Sequence, residues 1–259
     1  MQAMSNDTAQ SLCERAGIAW HEQADSESLA QLLADEVAAS LRAAIETQGN
    51  ASLVVSGGST PAAVFKRLCM AELPWQKVSV TLADERWVAP GDKDSNESLV
   101  RDTLLVEQAS QASFVSLYRD GLSPADAIEP VSVDLKAMQR PFSVTLLGMG
   151  ADGHTASLFP DAPGDQLASA MSLQSEAMAA VLEPPSVTQT RISLTRSALL
   201  NSERRILHIT GAEKQVVLRD ALLASAKGDG VPGPYEPGLK PIVGLLTHST
   251  NNAAVYWSP

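Results

Sequence analysis

The sequence is poor in the residues that mark several common protein classes. Its 259 residues include two cysteines and eleven aromatic residues, and 19 lysines and arginines stand against 30 aspartates and glutamates, for a formal charge of −11. Two cysteines cannot form a structural zinc site alone. Too few basic residues are present to coat a phosphate backbone, and the scattered aromatic residues cannot form a base-stacking platform. We therefore expect no nucleic-acid partner and no metal site.

Long apolar runs are also missing. No stretch reaches the roughly 18 uncharged apolar residues of a membrane-spanning helix, and the segment Met1–Asp7 has neither a basic nor an apolar leader region. Cys13 and Cys69 lie 56 positions apart without a CxxC partner, a usage typical of reduced structural thiols. These features predict a cytoplasmic protein without a membrane partner. The sequence leaves a monomer and a small homo-oligomer equally open.

Short apolar runs alternate with longer amphipathic ones along the chain. The predicted strands are Ala51–Val55, Val78–Ala83, Ser143–Leu147 and Arg204–Thr210. The predicted helices are Ser26–Thr47, a helix opening at Thr60 and Pro61 with Thr60 as its cap, Asn96–Val106, Ala125–Met138 and Glu213–Ser225. This alternation predicts one α/β domain over residues 1–259, Rossmann-like, with a mostly parallel central sheet and helices on both faces. Functional loops then lie at the carboxyl ends of the strands.

The first segment with a chemical signal is Ser56–Pro61, directly after a predicted strand. Glycines there let the backbone turn sharply, and the following helix offers unpaired N–H groups that suit a phosphate. The segment lacks the second glycine of a nucleophile elbow and the Gly-Lys-Ser/Thr of a P-loop. An ordinary strand-to-helix turn is the alternative. The candidate binding residues are Gly57, Gly58, Ser59 and Thr60.

The second segment, Asp84-Glu85-Arg86-Trp87, ends the strand predicted at Val78–Ala83. Arg86 is suited to hold an oxyanion or a phosphate, and Asp84 to orient a catalytic group or accept sugar hydroxyls. A solvated surface turn with an internal salt bridge is the alternative interpretation.

The third segment, Gly148–Pro160, carries the most information. Its glycines satisfy G-x-G-x-x-G, but Pro160 stops any helix within about two turns, which excludes a dinucleotide fingerprint. The turn itself contains Asp152 and His154. An imidazole with an ordinary pKa of about 6.5 suits general-base work near neutral pH. A lone histidine is more often structural, yet an aspartate two residues away in a glycine-rich loop favours catalysis.

The remaining histidines and cations give weaker signals. The histidines that show no metal-ligand spacing with His154 are His21, His208 and His248. Arg191 and Lys214 each lie beside a predicted strand end or helix start, where an ordinary surface charge is the alternative.

Together these segments resemble the 6-phosphogluconolactonase family, within the larger group that includes glucosamine-6-phosphate isomerase/deaminase. The resemblance runs from about Gly57 to Lys214, and the stretch Gly153–Pro160 is its most specific part. The other matching elements are Ser56–Pro61, Asp84–Val88 with Ser95 and Asn96, Arg191–Thr195, and Gly211 with Lys214.

The resemblance implies hydrolysis of 6-phospho-D-glucono-1,5-lactone, a small phosphosugar lactone, to 6-phosphogluconate in the oxidative pentose phosphate pathway, without a cofactor. On this basis we expect His154 to take a proton from the attacking water, while Asp152 positions the site or the imidazole. Arg86 is expected to stabilise the developing negative charge, and Asp84 and Glu85 to orient it or bind sugar hydroxyls. Whether Asp84 or Asp152 is the closer partner of His154 remains open.

The resemblance also implies a phosphate site. The 6-phosphate is expected among the backbone N–H groups of Gly57 to Thr60 together with Arg191 and Lys214, which would form a positive pocket on an acidic molecule. One departure concerns the last matching segment, where Val243 replaces the arginine that lactonases often carry. Any supporting contact from that segment is therefore in doubt.

Two other functions compete with lactone hydrolysis. A sugar-phosphate deaminase or isomerase would share the fold and phosphate loop, but that branch carries an acid a few residues after the Asp-Gly-His unit, and Thr155–Phe159 has none. A non-catalytic sugar-phosphate sensor could dispense with His154 and Arg86.

Overall fold

The computed structural model describes residues 7–228, 230–248 and 252–259. Its helices are α1 (Ala9–Arg15), α2 (Ser26–Gln48), α3 (Ser59–Leu68), α4 (Asn96–Thr103), α5 (Pro124–Ala137), α6 (Gly164–Met171), α7 (Arg196–Leu200), α8 (Ala212–Ser225) and α9 (Pro241–Leu246). Its strands are β1 (Ala19–Glu22), β2 (Ala51–Val55), β3 (Val78–Leu82), β4 (Asp84–Arg86), β5 (Ser113–Val115), β6 (Phe142–Leu147), β7 (Ala179–Leu182), β8 (Arg191–Leu194), β9 (Ser202–Thr210) and β10 (Ala253–Ser258). Short 3₁₀ helices occupy Trp75–Lys77 and Glu107–Gln111.

The strands form two sheets. Seven of them lie in the order β1-β10-β9-β6-β2-β3-β5, and every neighbouring pair in this sheet is parallel. The other three form a small antiparallel sheet in the order β4-β8-β7. The expected α/β fold with a parallel central sheet is therefore confirmed. The small second sheet is an addition that the alternation of strands and helices did not predict.

Helices cover both faces of the central sheet. In β10, Ala254 and Tyr256 belong to a large apolar cluster that includes α2 and α3, whereas Val255 and Trp257 belong to a second cluster. That second cluster forms where α1, α8 and α9 pack on β9 and β10. Because consecutive side chains of a strand point to opposite faces, burial of both sets shows that the sheet has a helix layer on each side. In the described part of the chain, none of the helices combines the length and the apolar content needed to cross a membrane.

The predicted strands and helices are all present, with bounds within three residues of those predicted. The elements that were not predicted are β1, β4, β5, β7, β8, β10, α1, α6, α7 and α9. Two differences in the site segments are instructive. Asp84–Arg86 is a strand of the small sheet instead of a loop. Helix α3 begins at Ser59 with Gly58 as its N-cap, so Thr60 lies in the first turn and does not cap the helix. The reason is that Gly58 has φ +109° and ψ 170°, a conformation open to glycine, which lets Gly58 cap the helix two residues before the predicted cap. Both cysteines are free and buried, and burial raises the pKa of the Cys13 thiol to about 12.

Candidate active site

A cavity of about 410 Å³ lies at the carboxyl ends of the central strands. Its wall contains residues that follow β2 and β6, the end of β9 and the first turns of α3 and α8. The sequence-predicted site residues that line it are Gly57, Gly58, Ser59, Thr60, Asp84, Arg86, His154, Arg191 and Lys214. Chain topology thus brings together segments that are more than 150 residues apart in the sequence.

The loop after β2 presents backbone groups to this cavity. No side chain caps the N-terminus of α3, so the first-turn N–H groups are left for another acceptor. Gly57 is required for a different reason, since a Cβ there would overlap the side chain of Asn96. Asn96 in turn donates from Nδ2 to the backbone oxygen of Asp84 at 2.9 Å. The loop is therefore held against the second site segment by a contact that only glycine permits.

The loop after β6 folds back on itself instead of entering a helix. The amide of Gly150 donates to the carbonyl oxygen of His154 at 2.9 Å, and Thr155 Oγ1 donates to the carbonyl oxygen of Gly148 at 2.8 Å. The next helix, α6, begins only at Gly164. The rejection of a dinucleotide fingerprint is thus confirmed, because that motif needs a helix directly after the glycines.

This fold-back loop holds an aspartate–histidine pair. Asp152 Oδ1 lies 2.6 Å from His154 Nδ1 and also accepts the backbone N–H of His154 at 3.1 Å. An ionised carboxylate only accepts hydrogen bonds, so Nδ1 carries the proton and Nε2 has a free lone pair. The imidazole also stacks on Phe159, with ring centroids 4.0 Å apart. A Cβ at Gly150 would overlap both members of the pair, so glycine makes room for it.

Asp84 and Glu85 are adjacent in sequence but have different environments. Asp84 is buried in the cavity wall, and its Oδ2 accepts the hydroxyl of Ser157 at 2.6 Å. Glu85 is 1% exposed and does not line the cavity. The expectation that Glu85 binds sugar hydroxyls or orients the Arg86 guanidinium disagrees with this placement.

The carboxylate of Glu85 is occupied by the start of helix α4. Oε1 accepts the backbone N–H groups of Arg86 and Asn96 at 2.7 and 2.8 Å. Oε2 accepts the N–H of Glu97 at 2.7 Å and the hydroxyl of Ser95 at 3.0 Å. Burial raises the pKa of Glu85, and these hydrogen bonds oppose the shift. Glu85 therefore ties β4 to α4.

Two arginines lie side by side on adjacent strands of the small sheet. Arg86 and Arg191 are directly paired in the antiparallel register of β4 and β8. Burial and the Arg86 charge lower the pKa of the Arg191 guanidinium, with nearby carboxylates opposing them. Arg86 Nη1 donates to the carbonyl oxygen of Asp94 at 2.6 Å, whereas the buried Arg191 Nε finds no hydrogen-bond partner among the residues described. Like charges placed opposite each other destabilise a sheet, so this pair indicates a site for an anion.

The remaining predicted positions lie nearby. Lys214 is in the first turn of α8, whose N-cap Gly211 has φ +88° and supplies no side-chain cap. Val243 is fully buried in the apolar cluster around α9, outside the cavity wall. Its segment nevertheless touches the fold-back loop, because the N–H of Ile242 donates to the carbonyl oxygen of Gly153 at 3.2 Å. Within the described ranges, no group of three or more histidine, cysteine or acidic side chains could hold a metal ion.

The structure also adds lining residues that sequence reasoning did not single out. Asn96, Ser157 and Phe159 belonged to recognised segments, and their roles as wall and support appear only with the fold. His208 is different. It lies inside an apolar run that reads as an ordinary buried strand, so the one available signal was its position near the carboxyl end of β9.

Comparison with known proteins agrees with this geometry. Residues 24–235 match the family model described as glucosamine-6-phosphate isomerases/6-phosphogluconolactonase. A 6-phosphogluconolactonase of Rhizobium meliloti is 40% identical over 232 residues, which are 90% of this chain and 95% of that protein. A 6-phosphogluconolactonase of Pseudomonas aeruginosa is 41% identical over 80% of this chain and 86% of its own length.

A solved structure gives the same result for the fold. The crystal structure of a 6-phosphogluconolactonase from Shewanella baltica superposes with a TM-score of 0.85 at 36% identity, covering 93% of this chain and 98% of that one. The match therefore extends over nearly the whole of both chains. The chain belongs to the family of glucosamine-6-phosphate isomerases and 6-phosphogluconolactonases.

Proposed function

We propose that this lactone hydrolase opens 6-phospho-D-glucono-1,5-lactone to 6-phospho-D-gluconate in the oxidative pentose phosphate pathway, with His154 as its general base. The relatives that are similar over most of the chain are named for this lactonase activity. The observation that carries the assignment of His154 is its pairing with Asp152 at 2.6 Å, which leaves Nε2 as an acceptor on the cavity side of the loop.

The reaction needs one proton transfer in each direction. Water attacks the lactone carbonyl carbon as its proton moves to Nε2 of His154, and a tetrahedral oxyanion forms. Arg86 stabilises the negative charge on that oxygen. When the bond from this carbon to the ring oxygen breaks, the imidazolium returns the proton to the ring oxygen, which becomes a hydroxyl. Water is thereby added across the ester bond and the histidine is regenerated.

The geometry favours different roles for the two aspartates. Asp152 fixes the tautomer and orientation of His154, since its carboxylate accepts from both the ring and the backbone of that residue. One carboxylate oxygen of Asp84 accepts the hydroxyl of Ser157. Asp84 lies in the cavity wall, where its other carboxylate oxygen can accept a sugar hydroxyl. We assign Asp152 as the positioning residue and Asp84 as a substrate-binding residue.

The phosphate end of the substrate lies at the first turns of α3 and α8. Uncapped N–H groups follow Gly58, Lys214 contributes an ammonium group, and Arg191 has a buried nitrogen without a protein partner. A dianionic phosphate matches this set because each donor is cationic or lies at the positive end of a helix dipole. The phosphate also offsets the repulsion that Arg86 exerts on Arg191.

The rival functions fit the cavity less well. Asp84 is the sole carboxylate among the described residues that line it, so no acid stands in for the one a deaminase carries after its Asp-Gly-His unit. A binding protein without catalysis would have no use for a tautomer-fixing pair such as Asp152 and His154. Lactone hydrolysis uses both features.

The test follows acid release from freshly made 6-phosphogluconolactone, corrected for spontaneous hydrolysis. His154→Ala is expected to lower kcat by about 10²- to 10⁴-fold with an unchanged melting temperature. His21→Ala is the matched control, because His21 stacks on Tyr256 at the edge strand β1, outside the cavity wall. Unchanged turnover in His154→Ala would remove the base assignment. Ammonia release from glucosamine 6-phosphate would favour the deaminase branch.

A further inference from the structure

His208 is a buried polar residue that the proposed reaction does not use. Its side chain lines the cavity while the residue is only 4% exposed, and neither ring nitrogen has a hydrogen-bond partner in the described structure. A buried polar group normally finds a partner, because leaving it unsatisfied costs free energy. A buried imidazole whose two nitrogens both lack protein partners therefore points to a ligand.

The strand register shows why the imidazole faces open space. Leu147 pairs with Leu207 at the last row that β6 shares with β9, so the next row places Gly148 beside His208. Nothing lies within 4 Å of the position that a Cβ on Gly148 would take. Strand β6 thus supplies no side chain that could cover the ring or accept its proton. On the other side, β10 places Tyr256 beside His208, and the hydroxyl of Tyr256 accepts from Arg204 Nη2 at 2.6 Å.

The surroundings of His208 identify the part of the substrate that it meets. His208 lies on the face of β9 that also carries Ile206, a member of the apolar cluster that includes α3. It precedes Thr210 and Lys214, which line the same cavity at the start of α8. Ser56, at the start of the loop leading to α3, has a buried hydroxyl that also lacks a protein partner. Both helix N-termini of the phosphate end therefore line the same cavity as this ring.

We propose that His208 is a further substrate-binding residue that donates a hydrogen bond from its ring to the 6-phosphate. This inference rests on the proposed function, because it takes the phosphate position from it. Burial lowers the pKa of His208 to about 4, so the ring is neutral at pH 7 and has one N–H donor and one acceptor. A neutral donor adds a directed hydrogen bond to the phosphate without adding a third positive charge beside Arg191 and Lys214.

The kinetic test compares His208→Leu, which removes both nitrogens, with His208→Gln, which keeps an N–H donor at a similar reach. His208→Leu is expected to raise KM for 6-phosphogluconolactone by about tenfold, with kcat and the KM for unphosphorylated gluconolactone little changed. His208→Gln should recover most of this loss. Equal effects on both lactones, or a glutamine variant no better than leucine, would overturn the proposal and leave His208 as a structural residue.

A measurement on the unaltered enzyme covers the case in which a variant fails to fold. The ring nitrogen resonances of His208 should shift when inorganic phosphate is added and stay in place with the same concentration of gluconate. Absence of a phosphate-dependent shift would contradict the proposal.

Lys214→Ala separates failure of this inference from failure of the proposed function. If Lys214→Ala raises KM for the phosphorylated lactone and His208→Leu does not, the phosphate site stands and the role of His208 is wrong. If neither variant affects KM, the phosphate position itself is wrong, and with it the proposed substrate orientation.

Discussion

The loops that follow β2 and β6 occupy equivalent places at the carboxyl edge of the sheet, yet they contribute to the site in opposite ways. The first enters α3 at once and offers backbone N–H groups, with Gly58 as an uncapped start. The second makes no helix before α6 and offers side chains, with Asp152 and His154 held together in the turn. The number of glycines in such a loop therefore does not show whether it offers backbone N–H groups to an anion or side chains to a reaction.

The glycines themselves serve different needs in the two loops. Gly58 has φ +109°, which few other residues tolerate. Gly150 has no positive φ and is needed because a side chain there would overlap Asp152 and His154. Conformational freedom is the requirement in the loop after β2, which we propose binds the phosphate. Space is the requirement in the loop after β6, which we propose is the catalytic loop.

Among the variants that test the contrast between these loops, the largest effect should come from filling the space at Gly150. Gly150→Ala places a methyl group against both Asp152 and His154, and displacing a catalytic group by about 1 Å can cost about 10²-fold in rate. We expect kcat to fall by about that factor while KM changes little. Gly164→Ala is the control, because open space surrounds its Cβ position and it lies outside the cavity. Equal kcat values for the two variants would refute the distinction between the loops.

A smaller effect should follow from weakening the binding side. Lys214→Ala is expected to raise KM for 6-phosphogluconolactone by about tenfold and leave unphosphorylated gluconolactone unaffected, since it removes one charge-assisted contact to the phosphate. Steady-state kinetics on both lactones measures the difference, and Lys136→Ala on the exposed side of α5 serves as the control. If KM rises for both lactones, Lys214 lies nearer the reacting carbonyl than the phosphate.

The effects of backbone strain should appear in stability and not in the kinetic constants. Gly58→Ala should lower the free energy of unfolding by about 1–3 kcal/mol, because its φ of +109° with ψ of 170° is a region essentially reserved for glycine. Ala156 has φ +50° in the catalytic loop, and Ala156→Gly should change stability by less than about 1 kcal/mol, since relief of strain is offset by greater freedom of the unfolded chain. Urea titration measures the free energy of unfolding of both variants. Equal changes in the two variants would contradict the expected difference.

Local sequence pattern was sufficient where one element determines its own structure. Strand β2 has the predicted bounds because five consecutive buried residues leave no other solution between a helix-ending glycine and the Ser-Gly-Gly turn. The aspartate–histidine pair was also predictable in part, since its members are two residues apart. Which aspartate contacts His154 needed coordinates, because Asp84 reaches the same cavity from another strand.

Features that depend on partners distant in the sequence could not be predicted from it. The role of Glu85 is set by Ser95 and the backbone N–H groups of Asn96 and Glu97, whose approach depends on the turn after β4. Strand β4 itself is charged and short, and it becomes a strand only because β8 pairs with it. His208 reads as part of an apolar strand until the glycine beside it shows that the ring faces a cavity.

The arginines opposed across β4 and β8 predict a ligand-dependent lifetime for the enzyme. Arg86 and Arg191 repel each other in the free protein, and we expect a phosphate bound at Arg191 to offset that repulsion. A ligand that binds only the folded state stabilises it by about 2.7 kcal/mol at a hundred times its dissociation constant. Phosphorylated substrate and product should therefore protect the folded enzyme from unfolding and proteolysis, so that its abundance rises with the flux it carries.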